Sequence, residues 1–200
     1  MAVLVAEDIC FGYASGSLVL EHVNLQVEQG ERVALQAASG RGKSTLCQIL
    51  AGYLKPDAGR VLLDGKEPRA CKGKANPVQL IWQHPEQAVD PYIRLSETVK
   101  EAGEVPQQLL DDLGIKPEWL TRYPHELSGG ELQRCCIARA LAVEPQFIVA
   151  DETSTMLDAI TQAQLWRFLL DYCEKNQVGM VLVTHSQALL ERLATRVVEL

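Results

Sequence analysis

The sequence predicts an α/β fold, with a mostly parallel sheet covered by helices, an N-terminal antiparallel β subdomain and a helical insertion. Two observations support this fold class. Short apolar runs that suit buried strands alternate with amphipathic runs that suit helices. Polar residues follow several apolar runs directly, and the carboxyl ends of the strands are where open α/β sheets bind ligands.

The composition suits an acidic domain with a substantial hydrophobic core. Of the 200 residues, 47% are hydrophobic, and the formal net charge is −7. Because nucleic acids are bound through clustered Lys and Arg, we expect no nucleic-acid partner. The 6 cysteines form no C-x-x-C pair and no zinc-ligand spacing with His, which favours reduced, packed thiols. Residues 1–10 lack a basic secretory start, and no apolar run approaches the roughly 20 residues of a membrane helix.

The N-terminal region predicts antiparallel β structure. Strand-like patterns cover residues 3–11 and 18–27, with a glycine-containing turn between them. Gly30 ends this pair and leads into a buried strand at residues 32–35. Tyr13 lies in the first turn, where its ring could stack on a nucleotide base. An ordinary strand tyrosine is the alternative interpretation of that residue.

A glycine-rich turn after the buried strand has the composition of a phosphate-binding loop. Residues 37–45 read A-A-S-G-R-G-K-S-T and precede a helix-like run. Glycines let backbone N–H groups point inward, and the helix N-terminus adds partial positive charge. Lys43 can reach the β- and γ-phosphates, and Ser44 can ligate Mg²⁺. A simple strand-to-helix turn is the alternative. The candidate nucleotide-binding residues are Ser39, Gly40, Arg41, Gly42, Lys43, Ser44 and Thr45.

The middle of the chain predicts a helical insertion between two strands of the main sheet. Residues 61–63 suit a strand before a D-G turn, and residues 66–77 a polar surface loop. Residues 78–83 suit a buried strand that ends in Gln83. Glycine and proline break the helical pattern of residues 95–120, which indicates several short helices. Further helices are predicted at residues 131–142, 163–173 and 187–194, with a last short strand at residues 197–198.

Polar residues at the ends of the later strands can supply the chemistry of nucleotide hydrolysis. Asp151 ends an apolar strand, where a carboxylate can hold Mg²⁺, often through water. Its neighbour Glu152 points to the opposite side and can orient or deprotonate the attacking water. His185 follows the next strand and can hydrogen-bond the γ-phosphate, while Gln83 can reach the metal or the water. A solvated acidic turn and polar strand ends are the alternatives.

Residues 127–131 read L-S-G-G-E, and together with the preceding motifs they carry a family resemblance. The chain resembles the nucleotide-binding domain of ATP-binding cassette (ABC) transporters over essentially its whole length. The resemblance implies a P-loop NTPase fold with a RecA-like core. R-Y-P-H-E-L-S-G-G, which starts at Arg122, and the D-P pair at Asp90 resemble the subgroup that imports dipeptides, oligopeptides or nickel. The family motifs also include M-L-D, which ends at Asp158, and T-H, which ends at His185.

The resemblance implies an ATPase that acts as a dimer with a second ABC nucleotide-binding domain, identical or different. Two ATP molecules would lie between the subunits, with Mg²⁺ held by Ser44, Gln83 and Asp151. Tyr13 matches the aromatic residue that stacks on adenine. The implied catalytic residues are Glu152, His185 and Gln83. The implied residues that cap the γ-phosphate from the opposite subunit, or lie at the interface, are Ser128, Gly129, Gly130 and Asp158.

The resemblance further implies a domain organisation and a set of partners. Residues 1–200 would form one nucleotide-binding domain. Residues 1–82 and 136–200 would form the β subdomain and RecA-like core, and residues 83–135 a helical subdomain that carries the signature. Transmembrane permease subunits would contact Gln83 and the insertion on the cytoplasmic side of the membrane, and a separate substrate-binding protein would deliver the cargo.

Several residues depart from the family pattern, although no catalytic side chain is missing. Ala37 replaces the first glycine of the loop, Ala38 stands where proline is frequent, Arg41 is larger than usual, and Thr153 replaces a proline. The family usually continues beyond the position of Leu200. Two alternatives stay open beside an importer subunit: a non-transport ABC ATPase of DNA repair or translation, and a catalytically weak, nucleotide-gated partner subunit.

Overall fold

The computed structural model describes residues 1–13, 16–38, 40–68, 75–152, 158–184 and 186–200. The strands in these ranges are β1 (Val3–Gly12), β2 (Leu18–Glu28), β3 (Arg32–Gln36), β4 (Ala58–Leu63), β5 (Val78–Ile81), β6 (Phe147–Asp151), β7 (Gly179–Val183) and β8 (Arg196–Glu199). The helices are α1 (Lys43–Leu50), α2 (Leu95–Lys100), α3 (Gln107–Asp112), α4 (Pro117–Leu120), α5 (Gly129–Ala142), α6 (Ala159–Asn176) and α7 (Gln187–Leu193). The predicted α/β class is confirmed.

A five-stranded parallel sheet forms the centre of the molecule, in the order β5-β6-β7-β3-β8. Every residue of β6 and β7 is buried, because α1 and strands β1 and β2 cover one face of the sheet, and α5 and α6 cover the other. On one face, Leu35 of β3 shares a core with Leu46 of α1. On the other face, Ile148 of β6 shares a core with Trp166 of α6 and Ile137 of α5. The carboxyl ends of β3 and β6 lie at the same edge of the sheet, on either side of β7, and α1 follows β3 there.

The second sheet is antiparallel and has the order β2-β1-β4. The predicted pairing of β1 with β2 is confirmed. However, β4 starts at Ala58, before the predicted residue 61, and pairs with β1. Gly59 has φ +83° where β4 passes an irregularity of β1, and a Cβ there would lie 2.4 Å from the carbonyl oxygens of Glu7 and Asp8. Glycine is required at this crossing because the backbones approach so closely.

The helical insertion lies between β5 and β6, as predicted. Leu95 of α2, Leu110 of α3 and Trp119 of α4 are buried against Leu132 of α5. These helices have four to six residues each, because glycine and proline interrupt the sequence between them. Within the described ranges, no helix is long and apolar enough to cross a membrane.

Two later helices begin before their predicted starts because polar side chains cap them. The α5 helix starts at Gly129, after the capping residue Ser128. The α6 helix starts at Ala159 because Asp158 accepts hydrogen bonds from the next turn, and it continues to Asn176. The apolar pattern alone missed these first turns, since they carry few core residues. Part of the predicted 66–77 loop, residues 69–74, lies outside the described residues.

The described cysteines are buried, unpaired thiols, as expected from their spacing. They are Cys10, Cys47, Cys135, Cys136 and Cys173. Burial raises the pKa of Cys135 and Cys173 to about 12 and that of Cys136 to about 11. These thiols therefore stay protonated at neutral pH and pack as small apolar groups. Cys71 lies outside the described residues.

Candidate functional site

A pocket of about 470 Å³ opens at the start of α1, beside the ends of β5 and β6. Half of the residues predicted to bind nucleotide or metal meet here, although they come from distant parts of the sequence. The pocket is lined by Tyr13, Val19, Gly40, Gly42, Lys43, Ser44, Thr45, Gln83 and Glu152. Arg41 is exposed beside it, whereas Ser39 and His185 lie outside the described residues. The geometry therefore groups most of the candidates from the first half of the chain with Glu152.

The loop that leads into α1 requires glycine at its last turn. Gly42 has φ 84°, and a Cβ on it would lie 2.7 Å from Cδ2 of Leu20. Gly40 also has a positive φ, but open space surrounds it. Ala37 is absent from the residues with positive φ, so the backbone there accepts alanine without left-handed strain. The departure from the family pattern at Ala37 is therefore compatible with the backbone conformation of that residue.

Lys43 is folded back across the loop. Its side chain is buried, with the residue only 7% exposed. Its Nζ donates hydrogen bonds to the carbonyl oxygens of Ala37 at 2.8 Å and Ala38 at 3.1 Å. The buried ammonium is thus compensated by backbone dipoles. Phosphate oxygens are stronger acceptors for an ammonium than carbonyls are, so the same proton donors suit an anion in this pocket.

Asp151 supplies a buried carboxylate at the end of β6. Burial raises its pKa, while a hydrogen bond from the Ser44 hydroxyl and the charge of Lys43 act in the opposite direction. Its Oδ1 is the one buried side-chain polar atom without a partner among the described residues. A buried acceptor that lacks a donor suits a cation.

The donor set of this region fits Mg²⁺ bound together with a nucleotide. The described residues contain no cluster of three or more His, Cys, Asp or Glu that could hold a metal ion by themselves. Mg²⁺ usually retains waters and takes one or two carboxylates plus substrate phosphates. The Ser44 hydroxyl and the unpartnered oxygen of Asp151 match that requirement.

Glu152 directly follows β6 and contacts Gln83. Its backbone has φ 46°, and its N–H donates to the carbonyl of Val183 at 3.1 Å. Nε2 of Gln83 donates to Oε2 of Glu152 at 2.8 Å. A left-handed glutamate costs about 1 kcal/mol, and this strained turn directs the carboxylate into the pocket. Asp151 and Glu152 therefore occupy different environments, as their positions in the strand predict.

Tyr13 stands at the mouth of the pocket. Its side chain is 51% exposed, and its ring packs edge-on against Phe11 with the centroids 5.0 Å apart. Its hydroxyl lies 3.2 Å from Oγ1 of Thr45. The ring is therefore supported by Phe11 and half exposed at the mouth of the pocket, which suits a residue that stacks on a base.

The L-S-G-G-E residues do not line this pocket; they begin α5. The Ser128 hydroxyl accepts a hydrogen bond from the N–H of Glu131 at 3.4 Å. Oε2 of Glu131 in turn accepts from the N–H of Ser128 at 2.8 Å and from its hydroxyl at 2.9 Å. The bond from the backbone of Ser128 holds the pKa of Glu131 below its usual value. Gly129 and Gly130 follow the cap, so their N–H groups belong to the unpaired first turn of the helix.

Asp158 is likewise a helix cap outside the pocket. Its Oδ1 accepts hydrogen bonds from the N–H groups of Ile160 at 3.1 Å and Thr161 at 3.0 Å. Its Oδ2 accepts from the Thr161 hydroxyl at 2.6 Å, and this bond is the main cause of a lowered pKa. The carboxylate is therefore charged at neutral pH and lies at the protein surface.

Sequence reasoning missed Gln133, a buried amide next to the pocket. The residue is 3% exposed, and its Nε2 donates to the carbonyl of Trp82 at 3.0 Å, directly before Gln83. The signal in the sequence is a polar residue on the apolar face of a helix, between Leu132 and Cys136. Such a residue requires a buried partner, but the sequence does not indicate which one.

The fold and the pocket define a nucleotide-binding protein of the phosphate-loop class. Residues 20–155 match the family model described as ABC transporter. The chain belongs to the ABC transporter family and carries its ATP-binding domain.

Three relatives illustrate the range of proteins that the chain resembles. It is 33% identical over 198 residues to the probable peptide ABC transporter ATP-binding protein y4tS of Sinorhizobium fredii, covering 89% of this chain and 55% of that protein. It is 35% identical to the nickel import ATP-binding protein NikE of Rhodospirillum rubrum, covering 94% and 74%. It is 40% identical to the taurine import ATP-binding protein TauB of Sinorhizobium fredii, covering 93% and 72%. The chain thus spans about half the length of the first of these relatives.

A solved structure resembles the whole described fold. It is the dimeric structure of an ATP-binding cassette in a post-hydrolysis state, bound to ADP and Pi. The TM-score is 0.84 at 26% sequence identity, and the match covers 98% of this chain and 94% of that one.

Proposed function

We propose that this chain is the ATP-hydrolysing subunit of an ABC importer, which binds MgATP and couples its hydrolysis to transport. The observation that carries the proposal is the meeting of Lys43, Ser44, Gln83 and Glu152 around one pocket. This set combines a phosphate donor, a metal ligand and a carboxylate that can act on water. Membership of the ABC transporter family supports the same activity.

Each residue of the pocket has a distinct proposed role. Lys43 exchanges the carbonyls of Ala37 and Ala38 for the β- and γ-phosphates. Ser44, Asp151 and Gln83 hold Mg²⁺, which would neutralise charge on the phosphates when bound. Tyr13 stacks on adenine with its open face. The remaining loop residues that contact phosphate are Ser39, Gly40, Arg41, Gly42 and Thr45.

Glu152 is the proposed general base, and Gln83 and His185 assist it. Glu152 and Gln83 already share a hydrogen bond of 2.8 Å, so the amide holds the carboxylate beside the phosphate loop. In the proposed reaction, Glu152 accepts a proton from the attacking water, while His185 contacts the γ-phosphate. The role of Glu152 depends on its carboxylate lying within hydrogen-bond reach of the water.

The active unit is proposed to be a head-to-tail dimer of cassettes, identical or different. Ser128, Gly129 and Gly130 stand apart from the pocket of their own chain, and the N–H groups at the start of α5 suit an anion. They would therefore cap the γ-phosphate bound by the opposite subunit, with Asp158 at the interface. The dimeric form of the similar ADP-bound cassette supports a dimer as the active unit.

The proposed partners beyond the dimer are transmembrane permease subunits and a separate substrate-binding protein, with the chain peripheral on the cytoplasmic side. Residues 83–135 are the proposed helical subdomain that meets the permease, because α2 to α4 form an insertion between β5 and β6. Residues 1–82 and 136–200 then form the rest of the domain. Peptides or nickel chelates are the proposed cargo, since relatives carry those names. No feature of the pocket favours a repair or translation ATPase.

The test is MgATP hydrolysis by the purified protein beside Glu152→Gln. A general base contributes about 10²- to 10⁴-fold, so phosphate release should fall by that factor while ATP binding is retained. Glu144→Gln is a matched control, because Glu144 also has a left-handed backbone, with φ 50°, but lies outside the pocket. Equal activity in the wild type and Glu152→Gln would contradict the assignment of the base. Absence of both turnover and ATP binding in the wild type would contradict the proposed function.

A further inference from the structure

Three side chains of α5 donate to backbone carbonyls of the segment that follows β5. Nε2 of Gln133 donates to Trp82 at 3.0 Å, Sγ of Cys136 to Pro85 at 3.7 Å and Nη2 of Arg139 to Ala88 at 2.5 Å. Donors and acceptors both advance by three residues. The step matches because residues three apart share a helix face, and Pro85–Ala88 is a 3₁₀ turn with three residues per turn.

These contacts are largely shielded from water and therefore constrain the segment. Gln133 is 3% exposed and Cys136 is 8% exposed, so each donor would lose its hydrogen bond without regaining one from solvent. Arg139 uses its other arm to bind Glu101, with Nη1 and Oε2 2.7 Å apart. The guanidinium of Arg139 on α5 thus binds both Glu101, which directly follows α2, and the carbonyl of Ala88.

Trp82 is the point where pairing within the sheet ends and hydrogen bonding to α5 begins. Ile81 still pairs with Ala150 in the parallel sheet, and the Trp82 ring packs edge-on against Tyr53 with centroids 5.0 Å apart. The Trp82 carbonyl, however, is bound by Gln133 of α5. The next residue, Gln83, reaches Glu152 at 2.8 Å. The boundary between the sheet and the part held by α5 therefore lies at the residue directly before Gln83.

We propose that Gln133, supported by Cys136 and Arg139, is a positioning residue that makes residues 82–88 follow α5. This inference rests on the proposed function. Ser128 begins the same helix, so a displacement of Ser128 at a dimer interface is transmitted along α5 to the Trp82 carbonyl. The amide of Gln83 then moves relative to Glu152, which stays on β6. Gln133 thereby links engagement of the L-S-G-G-E residues to the placement of the general base.

The first test needs no nucleotide and compares hydrogen exchange in Gln133→Met and the wild type. Methionine keeps the length and volume of the side chain but has no amide donor. The N–H of Gln87, which donates to His84 at 3.0 Å, reports the stability of the 3₁₀ turn. Loss of one buried hydrogen bond should speed its exchange about 5- to 10-fold.

Arg134→Met is the matched control for that test. Arg134 is the next residue of α5, and its Nη1 also donates to a backbone carbonyl, that of Leu113 at 3.0 Å. The substitution Arg134→Met should leave hydrogen exchange at the Gln87 N–H within about twofold of the wild type, since Leu113 lies outside residues 82–88. Arg139→Lys supplies a second variant of the segment, which retains the charge opposite Glu101. Unchanged exchange in both Gln133→Met and Arg139→Lys would overturn the inference.

The second test asks whether Gln133 acts through Gln83. Gln133→Met should lower kcat for ATP about 10-fold and leave KM within about twofold, because the nucleotide contacts are intact. In a Gln83→Ala background, Gln133→Met should cause no further loss, whereas a merely structural role would give additive losses. Additive losses would overturn the positioning role. A wild type with neither turnover nor ATP binding would contradict the proposed function instead, and the exchange experiment would still decide whether α5 holds the segment.

Discussion

At the scale of single residues, the charged groups in the pocket and at the end of β6 beside it are compensated only in part. Lys43 is satisfied by two carbonyls of its own loop, whereas Oδ1 of Asp151 is buried without a partner. Glu152 is held in a left-handed turn that directs it toward Gln83. These features cost folding free energy in the nucleotide-free protein, and bound phosphate and cation would relieve that cost.

The pH dependence of stability should reveal the cost of burying Asp151. Burial raises its pKa above the ordinary value of 3.8, so the folded state holds the proton more tightly than the unfolded state. The contribution of Asp151 to stability is therefore present below that value and is lost as the pH rises through the raised pKa. Asp151→Asn should melt about 2–4 °C above the wild type at about pH 7 and show no such gain at about pH 4.

Calorimetry of both proteins at the two pH values, without nucleotide and with MgATP, measures this effect. MgATP should stabilise the wild type but not Asp151→Asn, because the amide is a poor ligand for Mg²⁺. A variant that melts below the wild type at neutral pH would contradict the assignment of an uncompensated carboxylate.

Replacing Ala37 with the glycine that is usual in the family should not raise the affinity for ATP. Because Ala37 does not adopt a positive φ, Ala37→Gly mainly adds freedom to the unfolded chain. We expect a loss of about 0.5–1 kcal/mol in the free energy of unfolding and ATP affinity within about twofold of the wild type. Urea titration and ATP-binding calorimetry measure the two quantities. A marked rise in ATP affinity would show that alanine distorts the loop.

At the scale of elements, caps determine where the helices at the functional surfaces begin. Ser128 and Glu131 satisfy each other's backbone groups at the start of α5, and the Asp158 side chain accepts from backbone N–H groups in the first turn of α6. A capped first turn holds Gly129 and Gly130 in helical geometry although glycine has a low helix propensity. The start of α5, which we propose to contact the phosphate bound by the opposite subunit, is thus stabilised by the cap of the same helix.

Removing the cap of α5 should lower stability in a pH-dependent way. Ser128→Ala should cost about 1 kcal/mol. Glu131 has a lowered pKa, so its contribution to stability is present above its ordinary pKa of 4.5 and is lost as the pH falls through the folded value. Melting temperatures of the wild type and Glu131→Gln should therefore converge in acid. A constant difference across that pH range would contradict a charged cap.

At the scale of the whole molecule, the nucleotide pocket and the start of α5 are separate surfaces of one chain. If both contact one ATP, they must come from two subunits, as proposed. Ser128→Arg should then prevent MgATP-driven dimerisation of the Glu152→Gln protein while the monomer still binds ATP. Sedimentation of this variant and of Gln108→Arg, an exposed control on α3, tests the prediction. Dimerisation that survives Ser128→Arg would place the interface elsewhere.

Much of the fold and of the pocket could be predicted from the sequence because the decisive signals are local. Strand-like runs, the breaks at glycine and proline, and the loop composition are all read within a few residues. The A-D-E end of β6 and the G-K-S-T start of α1 are such signals, and the structure brings both to the pocket region. Local pattern also placed the helical insertion between the correct strands.

The sequence by itself determined the class of fold, the order of the elements and the residue types that can bind a nucleotide, because these follow from local periodicity and motif chemistry. Only the tertiary structure decided that β4 joins β1, that alanine fits at residue 37, and that Gln133 holds the Trp82 carbonyl. Each of these depends on backbone groups that are remote in sequence or on a dihedral angle. Side-chain patterns do not directly indicate remote backbone contacts or dihedral angles, since almost any residue offers the same N–H and C=O groups to a distant partner.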